Sequence, residues 1–236
     1  MVKSIYPSGE MRRNYMARMY CEMAMESYYG ASEHHAEIIK MGYSYDSQHE
    51  LEALEKCVVS TIVFAAMSIE AFINDYAAAC LGDDDFYDNF DRLSTLSKFE
   101  LIARFILHSE VDTGKSYYSY LKALIKLRDS YVHSKSHAVA FEGMSEEDVE
   151  AYYNYLQTEE PKEAPLLNKN EINEEMRSAR DSLKALKEFA DYFDKRDSNA
   201  YALHKLFGPS TVHYGPEKER KYKRFVFSML GIKTSG

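Results

Sequence analysis

Apolar side chains recur at helical spacing along most of the chain, whereas alternation typical of strands is hard to find. The spacing predicts five long helices, at about 10–41, 47–81, 94–109, 116–136 and 170–196. Gly30 or Gly42 marks a break or an end in the first helix, and Gly82 follows the second. Ser97 and Glu100 have the spacing of a capping box in the third. We therefore expect an all-α protein.

Two segments depart from this pattern of long helices. Residues 137–169 are acidic, contain two prolines and hold one short predicted helix at 145–157, and we interpret them as an insertion between core helices. Residues 197–236 are a C-terminal extension with a basic run at 218–224 that includes a tyrosine. Basic and aromatic residues together suit a single-stranded nucleic acid. A solvated or dimer-docking C-terminus is the more common role for such a run.

The composition is that of a globular protein. The chain has 236 residues, of which 45% are hydrophobic and 28% charged, so a single domain is expected. A chain of this size buries roughly 70% of its unfolded surface, enough for a core without disulfides or metals. The net charge of −9 argues against nucleic-acid binding through an extended basic surface, but it is compatible with a small, locally basic site.

The cysteines and the N-terminus indicate a cytoplasmic location. Cys21, Cys57 and Cys80 are an odd number without CxxC spacing, which is typical of reduced structural cysteines in a cytosolic protein. The N-terminus has no apolar core of a signal peptide. The most apolar stretch, 57–69, is shorter than the ~18 residues of a membrane span, so no membrane contact is expected.

Two opposite charges stand at the centre of apolar helix faces. On the fourth helix, Arg128 lies within about 40° of Leu121 and Leu124 on either side. An arginine keeps its proton, and burying it alone costs several kcal/mol, so it must be paired or line a wet cleft. Glu70 lies in the middle of a similar apolar arc on the second helix, with Asn74 one turn further on. We predict that these helices pack together and that the charges meet or share a polar pocket.

His133 is the candidate general acid or base. It lies about 140° around the fourth helix from Arg128. Asp129 is four residues before it, so its carboxylate is in position to hold the imidazole. A histidine next to a centred arginine, with an acid one turn back, is a candidate for general acid/base work.

The segment from Arg128 to His133 resembles the R-polar-x-x-x-H motif of the HEPN superfamily, the all-α domains of many prokaryotic toxins and RNA-cutting defence proteins. The earlier segment "AAMSIEAFINDYA", residues 65–77, is similar to a helix of several HEPN groups that carries an internal acid and an Asn. The resemblance implies an antiparallel helical bundle. It also implies a homodimer whose two motifs face one cleft, and a metal-independent endoribonuclease.

Carried over residue by residue, the resemblance assigns three catalytic roles. Arg128 would hold the scissile phosphate, His133 would be the acid or base for attack of the 2′-OH that leaves a 2′,3′-cyclic phosphate, and Asp129 would orient the pair. Glu70 and Asn74 would support this site. No metal and no cofactor are expected. The partners would be RNA and an antitoxin or another defence protein.

Other residues near the motif are weaker candidates for RNA contact, namely Lys122, Lys126, Lys135 and Tyr131. The lysines would add local positive charge, and the tyrosine would stack on a base. In HEPN toxins silenced by a nucleotidyltransferase, a tyrosine stands two positions after the histidine. Here Lys135 occupies that position, which puts this form of control in doubt.

Three alternatives stay open. The chain is equally compatible with a catalytically silent HEPN-like domain that binds a nucleotide, an RNA or a protein, because fold does not settle function. It is also compatible with an unrelated helical protein in which Arg128 and Glu70 form a structural ion pair. The segment "EHHAE", residues 33–37, offers metal-ligand residue types, but a solvated polar face explains it better, since no Glu-x-x-His pairs stand on facing helices.

Overall fold

A computed structural model of the chain describes residues 15–43, 47–133, 168–197, 200–208 and 216–232. Within these ranges the elements are α1 (Tyr15–Met41), α2 (Gln48–Leu81), α3 (Asp83–Asn89), α4 (Thr95–Leu101), a π-helical segment (Ile102–Ile106), α5 (Ser116–Val132), α6 (Lys169–Asp194), α7 (Ala202–Phe207) and α8 (Pro216–Leu230). These ranges contain no strand, so the all-α prediction is confirmed for them. The short helix predicted at 145–157 lies outside the described residues.

α1 and α2 form an antiparallel hairpin. His34 Nδ1 lies 2.6 Å from Glu50 Oε2 near the connection, and Ser68 Oγ donates to the carbonyl of Ala17 at 2.7 Å near the far end. Gly30 does not break α1, which continues through it. A Cβ at this position would lie 3.3 Å from Cys57 Sγ, so the glycine favours the close approach of the two helices.

α5 and α6 complete an up-and-down bundle. The start of α5 lies beside the end of α6, where the rings of Tyr117 and Tyr192 are 4.5 Å apart, and Lys184 lies over Tyr120 one turn along. These contacts make α5 and α6 antiparallel. Phe72 of α2 packs its ring against α6 in the centre of the bundle. The apolar faces that the helical spacing predicts thus meet in one core.

The third predicted helix differs most from the structure. Ser94, not Ser97, is the N-cap of α4, and its side chain accepts a hydrogen bond from the N–H of Ser97 at 3.2 Å. The capping box at Ser97 and Glu100 is therefore wrong, and Glu100 instead accepts a hydrogen bond from Tyr118 at 2.7 Å. The helix then widens into the π-helical segment. α3, which follows Gly82 directly, was not predicted.

The C-terminal extension packs on the bundle as α7 and α8. Asp194 at the end of α6 accepts hydrogen bonds from the first N–H groups of α7, those of Ala202 at 2.6 Å and Leu203 at 3.0 Å. Lys223 of α8 lies 3.1 Å from Glu22 of α1, and both side chains are mostly buried. Tyr222 is buried too, so the extension helps to cover α1 and its tyrosine is not exposed for stacking on a base.

α2 contains the most apolar stretch of the described chain. An 18-residue window in α2 has a mean hydropathy of 1.8, so the helix is long and apolar enough, by length and composition alone, to cross a membrane. The expectation that no stretch reaches this length is wrong. Half of the window is buried inside the bundle, and the core helix of a globular protein has the same composition as a membrane span.

Candidate functional site

The charges on α2 and α5 meet, as the apolar faces around them predict. Arg128 Nη2 lies 3.5 Å from Glu70 Oε2, and Arg128 Nη1 lies 3.3 Å from Asp129 Oδ1. The arginine side chain is 21% exposed and the two carboxylates are more open, at 38% and 49%. Arg128 therefore lies in the groove between α2 and α5 with one edge open to solvent.

Arg128 Nε is the unsatisfied atom of this group. It is buried and has no hydrogen-bond partner in the part of the chain that the structure describes. A guanidinium has five N–H donors, and two carboxylates at salt-bridge distance do not use them all. Because Nε is closed off from solvent, an additional acceptor such as a phosphate oxygen could bind only at the partly exposed remainder of the guanidinium.

His133 ends α5 and is exposed. Its N–H donates to the carbonyl of Asp129 at 2.9 Å, which closes the last turn of the helix. In the described ranges no hydrogen bond or ion pair joins its ring to Arg128 or to the Asp129 carboxylate. The prediction that Asp129 holds the imidazole is therefore wrong for this conformation, since the carboxylate turns to Arg128 instead.

Asn74 contacts a residue that the sequence analysis missed. Lys98 of α4 donates to Asn74 Oδ1 at 2.9 Å and is only 2% exposed. Its ammonium also lies 5.7 Å from the centre of the Phe86 ring. The helical spacing could have predicted that Lys98 is buried, because Lys98 stands beside Phe99 and one turn before Ile102, which are both buried. Asn74 thus anchors α4 on α2, and in the described residues it forms no hydrogen bond with Arg128.

The weaker RNA-contact candidates are dispersed. Lys122 and Lys126 are exposed on α5, about 120° and 160° around the helix from Arg128 and on the same side as His133. Tyr131 is 39% exposed at the end of the helix. Lys135 lies outside the described residues.

Acidic groups dominate the end of the bundle around Tyr131. Burial raises the pKa of the Tyr131 phenol, and the Glu175 and Glu55 carboxylates raise it further. Burial also raises the pKa of the Glu175 carboxyl, with added repulsion from Glu55 and Glu171. Glu175 Oε2 is buried without a partner among the described residues. This end of the bundle therefore carries a negative field, which disfavours RNA beside Tyr131.

The "EHHAE" segment is part of the helix packing. His34 bonds Glu50 of α2, and the Asn173 side chain of α6 lies close enough to His35 to act on its pKa. Burial lowers the pKa of His35, and its Nε2 is buried without a partner within the described ranges. No group of three or more metal-ligating side chains occurs in the part of the chain that was searched.

Arg128 does not line either of two cavities found in the described part of the chain. In one of them, of about 620 Å³, the described lining consists of Arg104, His108, Ser109, Glu110 and Val111, from the π-helical segment and the turn after it. A smaller one of about 150 Å³ lies between α5 and α6 beside Tyr120 and Ser178. Comparison of the chain with protein-family models, with curated proteins and with solved structures gives no match.

Proposed function

We propose that the chain is a HEPN-like helical domain that cleaves RNA without a metal. The observation that carries this proposal is the guanidinium of Arg128 between α2 and α5, which is 21% exposed and lies beside the Glu70 and Asp129 carboxylates. A fixed cation of this kind suits the charge that develops on a phosphate during transesterification. Phosphate binding at this site exchanges a carboxylate of Glu70 or Asp129 for a phosphate oxygen.

His133 supplies the acid or base in this proposal. Its ring is exposed at the end of α5 and makes no contact with Arg128 in the described chain. We therefore propose a homodimer in which the two motifs share one groove, so that the reacting 2′-OH and phosphate lie between them. The 2′-oxygen bonds to phosphorus as the P–O5′ bond breaks, and the products are a 2′,3′-cyclic phosphate and a protonated 5′-hydroxyl. A neutralising or triggering partner protein fits a toxin or a defence protein of this type.

The test is cleavage of a labelled RNA of mixed sequence by the full chain in EDTA, at low salt. Arg128→Ala and His133→Ala are each expected to lower the cleavage rate by about 100-fold or more, because each removes a group that acts on the reacting phosphate or proton. The matched control is Arg177→Ala, an exposed arginine on α6 whose loss leaves the rate unchanged. Mass spectrometry of the products identifies the cyclic phosphate.

Two results contradict this proposal. Cleavage at the wild-type rate by the double variant excludes the motif as the site. Cleavage that stops in EDTA and returns with a divalent cation excludes the metal-independent mechanism. Circular dichroism spectra of the variants that match the wild type show that a lost rate is not lost folding.

A catalytically silent HEPN-like domain is the second candidate, and the acidity of the region favours it. Glu70 and Asp129 already lie beside Arg128, and Glu55 and Glu175 lie beside Tyr131. Such a surface suits a basic segment of a protein partner better than an RNA backbone. A wild-type chain that neither cleaves nor binds RNA at low salt supports this candidate over the nuclease.

A further inference from the structure

Two adjacent histidines near the end of α1 face different helices. His34 Nδ1 lies 2.6 Å from Glu50 Oε2 at the start of α2. His35 faces the start of α6, where the Asn173 side chain lies close enough to act on its pKa. Successive side chains on a helix are about 100° apart, so the pair spans the junction of α1 with both helices. The two imidazoles therefore join one end of α1 to two different helices.

Protonation has opposite effects on these two contacts. A positive charge on His34 strengthens its bond to the Glu50 carboxylate. His35 Nε2, in contrast, is buried and has no hydrogen-bond partner among the described residues. A histidinium carries an N–H donor on both ring nitrogens, so the charged form must place a donor at this closed-off atom, which costs free energy. Acid therefore tightens α1 on α2 and weakens α1 on α6.

The charged groups on the helices around His35 do not offset this cost. The ionisable side chains at this end of α1, α2 and α6 include His34, His49, Glu50, Glu174, Glu175 and Arg177. Within the described ranges none of them is among the causes that shift the pKa of His35, which are burial, the larger cause, and Asn173, which acts in the opposite direction. The charged imidazole thus has no carboxylate to pair with in the closed contact.

We propose that His35 is an acid-sensitive contact that releases the first turns of α6 from α1, while His34 keeps α1 bound to α2. Helix ends open locally at a lower free energy than the core of a bundle, so one lost contact acts there first. The same turns of α6 carry Glu175, whose carboxylate acts on the phenol of Tyr131 near the end of α5. The release thus reaches the end of α5 that bears His133, and any effect on RNA cleavage rests on the proposed function.

Acid opens this contact to a limited extent. In the opened segment His35 has the ordinary pKa of 6.5, whereas burial lowers its pKa in the closed segment. Stability from the neutral imidazole is therefore present above pH 6.5 and is lost as the pH falls through the lower pKa of the closed segment. Between pH 7.5 and pH 5.5 the equilibrium constant for opening rises by at most about tenfold, because only the opened state binds the proton freely.

The test is hydrogen exchange of the full chain, followed by mass spectrometry at pH 7.5 and 5.5 and corrected for intrinsic exchange. Protection of residues 169–176 is expected to fall severalfold at pH 5.5, whereas protection of residues 183–193 on the same helix stays constant. His35→Gln and His35→Met carry no titratable group and should abolish the fall. His34→Gln is the matched control and should retain it. The measurement is repeated in the Glu175→Gln chain, because protonation of Glu175 stabilises the same turns and opposes the effect.

Each result supports or overturns the proposal. A fall confined to residues 169–176 that both His35 variants abolish supports it. Equal protection at the two pH values in the Glu175→Gln chain overturns it, and so does a fall that persists in the His35 variants. Should neither variant fold, NMR titration of the wild-type ring decides, since a midpoint at or above 6.5 overturns the proposal and a lower one supports it. None of these measurements uses RNA, so failure here leaves the nuclease test unaffected.

Discussion

Glu175 shows how a single carboxyl group makes the stability of this bundle depend on pH. Burial raises its pKa above the ordinary value of 4.5, and Glu55 and Glu171 add repulsion. The folded chain therefore holds this proton more tightly than the unfolded chain does. Stability from this group is present below pH 4.5 and is lost as the pH rises through the folded-state pKa.

Glu175→Gln is accordingly expected to raise the thermal unfolding midpoint at pH 7. The neutral amide avoids both the cost of burying a charged carboxylate and the repulsion from Glu55 and Glu171. The gain should disappear near pH 4, where the wild-type carboxyl is protonated. Glu174→Gln, at the exposed position beside it, is the matched control. Midpoints measured by circular dichroism at both pH values check this prediction. A Gln variant no more stable than the wild type at pH 7 would contradict it.

Arg128 and Lys98 show how far single residues were predictable. The meeting of Arg128 with Glu70 followed from their positions at the centres of two apolar faces, and this prediction is confirmed. Lys98 stands on a buried stripe in the same way, but this position alone does not identify its partner, Asn74 on α2. A pattern within one helix shows which way a side chain faces but does not name the residue it meets. The catalytic roles of Arg128 and His133 stay predictions.

At the scale of the elements, long helices with a strong apolar stripe were predictable, whereas the irregular segment and the last helix were not. The long helices α2 and α6 match the predicted ranges closely, because hydrophobic periodicity is a repeated signal. The π-helical segment depends on hydrogen bonds that no periodicity encodes. The sequence analysis predicts only a basic run where α8 lies and no helix. Tyr222, Val226 and Leu230 nevertheless follow one another at helical spacing and are all buried.

The ion pair between α8 and α1 gives this element a measurable role. Lys223→Met removes the cation 3.1 Å from Glu22 in a mostly buried setting. The expected cost is about 2 to 3 kcal/mol in the free energy of unfolding, as for a hydrogen bond to a charged group. Urea denaturation measures it, with exposed Lys221→Met as the control. Equal stability of the two variants would show that the pair does not hold α8 on α1.

At the scale of the whole molecule, aromatic rings join helices that are far apart in sequence. Phe72 of α2 contacts Phe189 and Phe193 of α6, with ring centres 5.4 and 5.1 Å apart, and Phe99 of α4 packs against the same two rings. Edge-to-face and tilted pairs of this kind add about 0.5 to 1.5 kcal/mol each beyond the burial of apolar area. The bundle and α4 therefore share one core.

Phe72→Ala is expected to lower the free energy of unfolding by about 3 to 5 kcal/mol, because it removes a fully buried ring and leaves a cavity. Phe105→Ala, at a ring that is 69% exposed, should change it by about 0.5 kcal/mol or less. Denaturant curves followed by circular dichroism give both values. If the two variants lose the same stability, the core does not centre on Phe72.

The close approach of α1 and α2 at Gly30 also limits which substitutions this chain can accept during evolution. An alanine there would press its methyl group to 3.3 Å from Cys57 Sγ, tighter than ordinary van der Waals contact. In a homologue that acquires such an alanine, the Cys57 thiol must move by a few tenths of an ångström, or a smaller residue must replace Cys57. The two positions, on different helices, are thus expected to change together as a compensating pair.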